Sequence, residues 1–405
     1  MNTALGHLGY CTNIHPGEHW DDHFAELRRR VPLVKAAVSP GAPLGLGLRI
    51  AGQASTDLLE PERLGALQKW LAASGCYVFT LNGFPYGGFH HTRVKDQVHA
   101  PDWTHAERRD YTLRLFRILD ALLPTGEAGG LSTSPLSYRH WWATPEALRT
   151  ATTQGTEHLL DVVEALVRTR RETGRLLHLD IEPEPDGILE NTAEFIDWYL
   201  GYLLPLGIDR LHARFGMNAA EAGDALRQHV QLCWDVCHGA VAYEVPTEVL
   251  HRLSAEGIRV GKLQLSSALR VDFSTQAEEK YRQLAAFDEP GYLHQVVART
   301  AAGTYRQYSD LPEALAARAS DEPEWRVHFH VPLFLETYGA LDSTQATLLE
   351  VLALQRQSPF TQQLEVETYT WGVLPAAAQV PIEESIAREI NWIRSADSRV
   401  GESSN

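Results

Sequence analysis

Four side chains stand where apolar runs end and chemistry can begin. Glu182 follows Leu176-Leu177-His178-Leu179-Asp180-Ile181, and Asp235 follows Leu232-Cys233-Trp234. Gln264 lies within Lys262-Leu263-Gln264-Leu265, and Glu367 within Leu364-Glu365-Val366-Glu367. Taken singly, each acid reads as a helix cap or a surface group. Taken together, three carboxylates aimed at one apolar-walled mouth repel one another and retain their protons unless a cation gathers them. One divalent metal ion held by Glu182, Asp235, Gln264 and Glu367 is the simplest account. Oxygen ligands with open positions suit Mn2+ or Mg2+, and nearby imidazole nitrogen moves the preference toward Zn2+, Co2+ or Fe2+. Ligand type alone leaves all five open.

Other candidates surround these four. His238 follows Asp235 by three residues, so both face the mouth if the strand ends and turns there; it then binds a substrate hydroxyl or joins the metal's shell, against the plainer reading of a loop histidine. In Arg326-Val327-His328-Phe329-His330-Val331 the two histidines are two apart and share a face. Either an edge strand exposes them, or His330 enters the site. Asn13 and His15, just past the first apolar run, offer hydrogen bonds to a polyol or carbonyl, or else cap a turn. Asn82 opens Asn82-Gly83-Phe84-Pro85-Tyr86-Gly87-Gly88-Phe89-His90, which reads as a substrate-covering loop or a structural Ω-loop. Tyr369 and Trp371 can wall a pocket or pack as core.

Convergence of residues so far apart requires strands that all point one way. Apolar runs near Leu5–Thr12, Leu44–Ile50, Tyr77–Asn82, Gly130–Ser134, Leu176–Ile181, Val230–Val236, Val260–Leu265 and Leu364–Tyr369 alternate with helical patterns, as in repeated βα units. Eight such runs without a glycine-rich nucleotide fingerprint favour closure into a (β/α)8 TIM barrel over a doubly wound sheet. Helix signals agree: Asn191 with Glu194 as a capping box, Pro145 and Pro246 at first-turn positions, and Gly174 as a C-terminal cap. The stretch between Gln264 and Leu364 is too long for one helix and its loops, so an insertion at the rim, with an added strand at Arg326–Val331, is expected between strands seven and eight. The expected organisation is one α/β domain over residues 1–394, with residues 266–362 including the insertion and 395–405 forming a fraying polar tail.

Composition sets further limits. A formal net charge of -16 over 405 residues argues against a nucleic-acid partner. Arg28-Arg29-Arg30, the single basic cluster, reads as a solvated helix end. Three of the four cysteines (Cys11, Cys76, Cys233, Cys237) lie in apolar runs, which suggests free thiols in a reducing cytoplasm. No uninterrupted apolar run approaches the ~20 residues needed to span a bilayer, so a cytoplasmic protein without membrane insertion is expected.

These residues resemble the xylose-isomerase-like barrels, a superfamily of sugar and sugar-phosphate isomerases, epimerases and an endonuclease branch. The resemblance implies metal ligands Glu, Asp, His and Glu on the last four strands, with an Asp-x-x-His motif on the sixth. Glu182, Asp235 with His238, and Glu367 match those places; Gln264 stands where His is commonest, and His330 is the available substitute. More narrowly, Gly9-Tyr10-Cys11-Thr12-Asn13-Ile14-His15-Pro16-Gly17, Asn82-Gly83-Phe84-Pro85-Tyr86 and His328-Phe329-His330-Val331-Pro332 resemble the EboE family of metabolite-traffic proteins, from the first strand to about Trp371. That resemblance implies work beside other proteins of one bacterial operon, processing or moving a secondary-metabolite precursor.

The function expected is a metal-dependent isomerase or epimerase of a small hydroxylated carbonyl metabolite. Glu182 and Glu367 remove and return a proton, and Asn13, His15, Asn82, His238, His330 and Trp371 bind the substrate. The alternative is a carrier that keeps the barrel pocket for a metabolite without turning it over. Metal-dependent cleavage of abasic DNA is disfavoured, because neither the additional histidines of a trinuclear zinc site nor a basic surface is present.

Overall fold

Runs in which apolar side chains alternate with small or polar ones become parallel strands when one face meets helices and the other closes on itself. The computed structural model describes residues 1–88, 94–372 and 380–402, and in it these runs are β1 (Gly6–Tyr10), β2 (Leu44–Arg49), β3 (Cys76–Asn82), β4 (Gly129–Thr133), β5 (Leu177–Ile181), β6 (Val230–Asp235), β7 (Val260–Leu265) and β8 (Gln363–Val366). Hydrogen bonding runs β1–β8–β7–β6–β5–β4–β3–β2, with every neighbouring pair parallel. A parallel bridge between Cys11 and Gly47 returns β2 to β1. The result is the expected (β/α)8 barrel, and a two-residue strand, Asn2–Thr3, folds back antiparallel on β1.

The outward faces supply the apolar core: Leu8, Leu44, Leu131, Leu179, Leu232, Leu263 and Leu364 are all buried against the helices. The inward faces are polar. His178 Nδ1 lies 2.6 Å from Asp180 Oδ1 low in the barrel. Above them the fully buried Lys262 ammonium donates to Glu365 Oε2 at 2.9 Å, to the Leu81 carbonyl at 3.0 Å and to Ser132 Oγ at 3.2 Å. Burial pulls the Lys262 pKa down, but Glu365 outweighs it and holds the ammonium charged. These long side chains need room, and glycine provides it: a Cβ on Gly47 would lie 1.3 Å from Glu365 Oε1, and one on Gly261 2.0 Å from Asp180 Oδ1.

Helix boundaries follow local chemistry. Pro145 and Pro246 open their helices, and Gly174 closes the first of these at φ 75°. Asn191 accepts from the Glu194 amide, but Glu194 turns its carboxylate to the Glu190 amide, so only half the expected capping box forms. A complete one occurs at Asn218 and Glu221. Arg28-Arg29-Arg30 lies mid-helix rather than at an end, in Trp20–Val38, where Arg30 pairs with Glu26 and Glu383. The last helix, Ile382–Glu402, runs through the segment expected to fray. All four cysteines are buried and free. Among the described residues no helix is long and apolar enough to cross a membrane.

The stretch between β7 and β8 is more than one added strand. It forms a six-stranded antiparallel sheet in the order Tyr305–Tyr308, Val296–Arg299, Glu324–Val327, Leu269–Asp272, Leu341–Ser343, Thr337–Tyr338. The strand expected at Arg326–Val331 ends at Val327 and lies inside this sheet rather than at its edge. Beyond it the chain crosses toward the barrel: the His328 amide bonds the Gln295 carbonyl at 2.9 Å, and the Val331 amide bonds the Ser267 carbonyl at 2.9 Å.

Removing one partner of a buried ion pair leaves an uncompensated charge, at about 3–5 kcal/mol. Lys262→Met is therefore expected to lower unfolding stability by about that amount in denaturant titration. The double variant K262M/E365L should regain most of the loss; if the single variant unfolds at the wild-type midpoint, the pair does not hold the barrel interior.

Candidate metal centre

Backbone pairing carries three carboxyl groups to the carboxyl-terminal mouth. The Glu182 amide donates to the Thr133 carbonyl at 3.0 Å and the Glu367 amide to the Leu265 carbonyl at 3.1 Å, so the ladder extends one residue past each strand. Asp235 is the last residue of β6 and caps the helix Val236–Val241, accepting the His238 amide at 3.0 Å. The Asp-x-x-His spacing is thus a capped helical turn that sets Asp235 and His238 side by side. One oxygen each from Glu182, Asp235 and Glu367 lie within 4.8 Å of one another, and all three residues are buried.

Each carboxyl is oriented by neutral donors. Glu367 Oε1 accepts from Asn13 Nδ2 at 2.8 Å and Asn82 Nδ2 at 3.1 Å. Asp235 Oδ1 accepts from Ser266 Oγ at 2.7 Å. Glu182 Oε1 accepts from Gln264 Nε2 at 3.2 Å. Burial, then the neighbouring Asp235 charge, pushes the Glu182 pKa up to about 8. Burial, then Glu182 and Asp235, raises Glu367 well above the usual carboxylate range. Burial also raises Asp235, but His238, His330 and the Ser266 hydroxyl outweigh it and leave its pKa below the ordinary value.

The centre has more lone pairs than donors. Asp235 Oδ2, Gln264 Oε1 and His330 Nε2 are buried without a hydrogen-bond partner among the described residues. His330 is fixed by its other nitrogen: Nδ1 lies 2.8 Å from the Glu367 carbonyl, which can only accept, so in the neutral ring the lone pair falls on Nε2. One ring nitrogen of His330 belongs to a second close group with Asp235 and His238. An acceptor-rich, donor-poor hole of carboxylate, amide and imidazole atoms fits a divalent cation. Its imidazole favours zinc, cobalt or iron beside manganese and magnesium.

Above the centre lies a small cavity, lined by Glu182, Glu367, Asn13 and Asn82 at its floor and by Phe84, Val98, Tyr292 and Tyr369 along its walls. His238, His328 and His330 also line it, as do His99, Glu184 and Gln295. Both histidines of the insertion therefore enter the site. Gln264 is buried within the barrel beneath the cavity and does not line it. Two expected substrate ligands are elsewhere. His15 packs edge-on against Tyr10, its Nε2 3.0 Å from the phenol oxygen, because β1 turns Tyr10 outward toward the helices. Trp371 stacks near Phe334 in the core, and Tyr369 takes the wall position instead. Of the glycine-rich loop after β3, Phe84 and Pro85 reach the cavity, whereas Phe89 and His90 lie outside the described residues.

Sequence reasoning missed Glu184, His99 and Gln295. Glu184 had a signal, the run Glu182-Pro183-Glu184-Pro185-Asp186 just past a strand end; His99 and Gln295 had none, one ending the short helix Lys95–His99 and the other preceding the strand Val296–Arg299.

No protein-family model matches the chain, and neither does any curated protein. Solved structures do. A xylose isomerase-like TIM barrel protein from Mycobacterium smegmatis, in complex with magnesium, is 10% identical, with 99% of each chain covered and a TM-score of 0.50. The 3-keto-D-glucoside 4-epimerase of E. coli is 10% identical over 96% of this chain and 99% of its own, with a TM-score of 0.44. The probable 3-DHS dehydratase of Bacillus anthracis is 10% identical over 96% and 98%, with a TM-score of 0.46. Likeness at this identity shows the fold alone, a TIM barrel.

A carboxyl group whose pKa folding raises holds its proton more tightly folded than unfolded, so metal-free stability falls as pH rises from ~4.5 toward 8. A cation displaces those protons and binds more tightly as pH rises. The gap in melting temperature between manganese-loaded and chelator-treated protein should therefore widen from pH 6 to pH 8. A gap that is constant or narrows would contradict the protonated cluster.

Proposed function

We propose that the chain is a divalent-metal-dependent isomerase or epimerase of a small polyhydroxylated carbonyl compound. The observation that carries this reading is the convergence of two cavity-facing carboxyl groups, Glu182 and Glu367, on an acceptor-rich hole that fits a cation. When bound, the ion supplies Lewis-acid polarisation of a carbonyl and its neighbouring hydroxyl, which acidifies the intervening C–H.

The protein's own groups do the rest. Asn13 and Asn82 both donate to Glu367 Oε1, which leaves Oε2 to meet substrate with its orientation fixed. Glu182 Oε1 is held by the Gln264 amide. One carboxylate takes the proton from carbon while the other, protonated, returns one to the opposite face or the adjacent carbon; a pKa raised toward neutrality makes either direction accessible. His330 is a further ligand candidate beside Gln264, whose place in related sites is taken by histidine. The aromatic and aliphatic walls exclude water from the reacting carbon and limit the substrate to a small one. Sugar epimerases and dehydratases with similar overall architecture are in keeping with such chemistry. In the wider setting implied by the EboE-like motifs, this step belongs to processing of a secondary-metabolite precursor among proteins of one operon. The free thiols fit a cytoplasmic site of action.

Solvent deuterium exchange into a panel of aldoses, ketoses and keto-glycosides, followed by NMR with manganese present, tests the proposal. Wild type should exchange the proton next to the carbonyl. Glu367→Gln should slow exchange about 10²–10⁴-fold while ligand affinity changes only a few-fold. Retained binding with no exchange in wild type would point instead to a carrier.

A further inference from the structure

His238 Nε2 and His328 Nε2 face each other at 3.1 Å. The opposite nitrogens decide what lies between them. His238 Nδ1 is 3.1 Å from the Pro183 carbonyl, and His328 Nδ1 is 2.7 Å from Gln295 Oε1. The Gln295 amide cannot be turned round, because its Nε2 already donates to the Pro185 carbonyl at 3.1 Å. Carbonyl oxygens only accept, so both Nδ1 atoms carry the hydrogen and both Nε2 atoms present lone pairs. Two lone pairs at hydrogen-bond distance with no hydrogen between them repel, unless a positive species sits against both. Imidazole that donates Nδ1–H to a carbonyl and turns Nε2 inward is the arrangement used to bind metal.

A third atom completes the set. Glu184 is buried, its Oε1 stands 3.2 Å from His99 Nε2, and one of its oxygens lies within 4.8 Å of ring nitrogens of both histidines. We propose that Glu184, His238 and His328 form a second divalent-metal site beside the carboxylate centre, a two-histidine, one-carboxylate set suited to zinc or ferrous iron. In tetrahedral geometry with metal–nitrogen bonds of about 2.0–2.1 Å, neighbouring ligand atoms stand about 3.3–3.4 Å apart, so the 3.1 Å pair needs only a small outward shift.

The loop after β5 is built for both sites. Glu182 serves the first centre and Glu184 the second, while Pro183 and Pro185 supply the carbonyls that fix His238 directly and His328 through Gln295. His328 comes from the insertion, so this site exists only because the added sheet lies over the mouth. The proposal does not depend on the isomerase reading, since it uses none of the three carboxylates assigned to that centre.

Zinc binding to chelator-treated, full-length protein tests it, read by calorimetry and by metal analysis after gel filtration. Wild type should hold two zinc ions per chain, and Glu184→Gln and His328→Ala one each. The double variant E182Q/E367Q should keep one, and X-ray absorption of that ion should show two imidazole ligands. Circular dichroism melts confirm that each variant is folded, and the near-isosteric Glu184→Gln covers the case in which His328→Ala is not. One zinc in wild type, unchanged in Glu184→Gln, would overturn the second site, as would an E182Q/E367Q protein that binds none or binds zinc without histidine. A proton shared by the two rings would give the first of these results.

Discussion

Charge compensation inside a closed ring of strands governs this protein. The interior of the barrel is filled by acids and bases rather than by the branched aliphatic layers that usually occupy it. Each level must therefore find its own balance: His178 with Asp180, then Lys262 with Glu365, then the mouth. At the first two levels a base meets each acid. At the mouth Glu182, Asp235 and Glu367 are met by neutral amide and hydroxyl donors rather than by a lysine ammonium. The mouth can be neutral through protons or through a cation, and the same imbalance that makes it costly makes it useful.

The insertion changes what the mouth offers. A barrel bearing only strand-end ligands would give an oxygen site. The segment leaving Val327 lays His328 and His330 across the opening, each ring anchored through Nδ1 on an acceptor from a different element. The imidazole missing at Gln264 is thus available from another part of the chain.

Much of the fold was readable from the sequence because apolar outward faces leave a period-two mark whatever lies inside. Each of the eight runs became a barrel strand, with ends within a few residues of those expected. The gathering of Glu182, Asp235 and Glu367 at the mouth was readable for the same reason, as a parallel barrel converts "last polar residue of the run" into a place. The buried Lys262–Glu365 pair was not readable, because charged residues on alternate positions look like a solvated face. The insertion was under-read: its strands are two to four residues long, and Tyr305–Tyr308 is largely exposed, so no period develops. His15 and Trp371 were misplaced because chain proximity to a strand end does not fix the side of the barrel on which a ring falls.

The order of the strands has a bearing on how the molecule is made. β8, the last strand, pairs with β1, the first, and with β7, so the ring stays open until the end of the chain arrives. Glu182 and Asp235 are synthesised long before Glu367 and can remain hydrated and ionised at an open edge. Only when the final strand docks are the three acids forced together and dried. Repulsion is postponed to the closing step, where counter-ions in the surrounding medium decide how readily the ring is sealed.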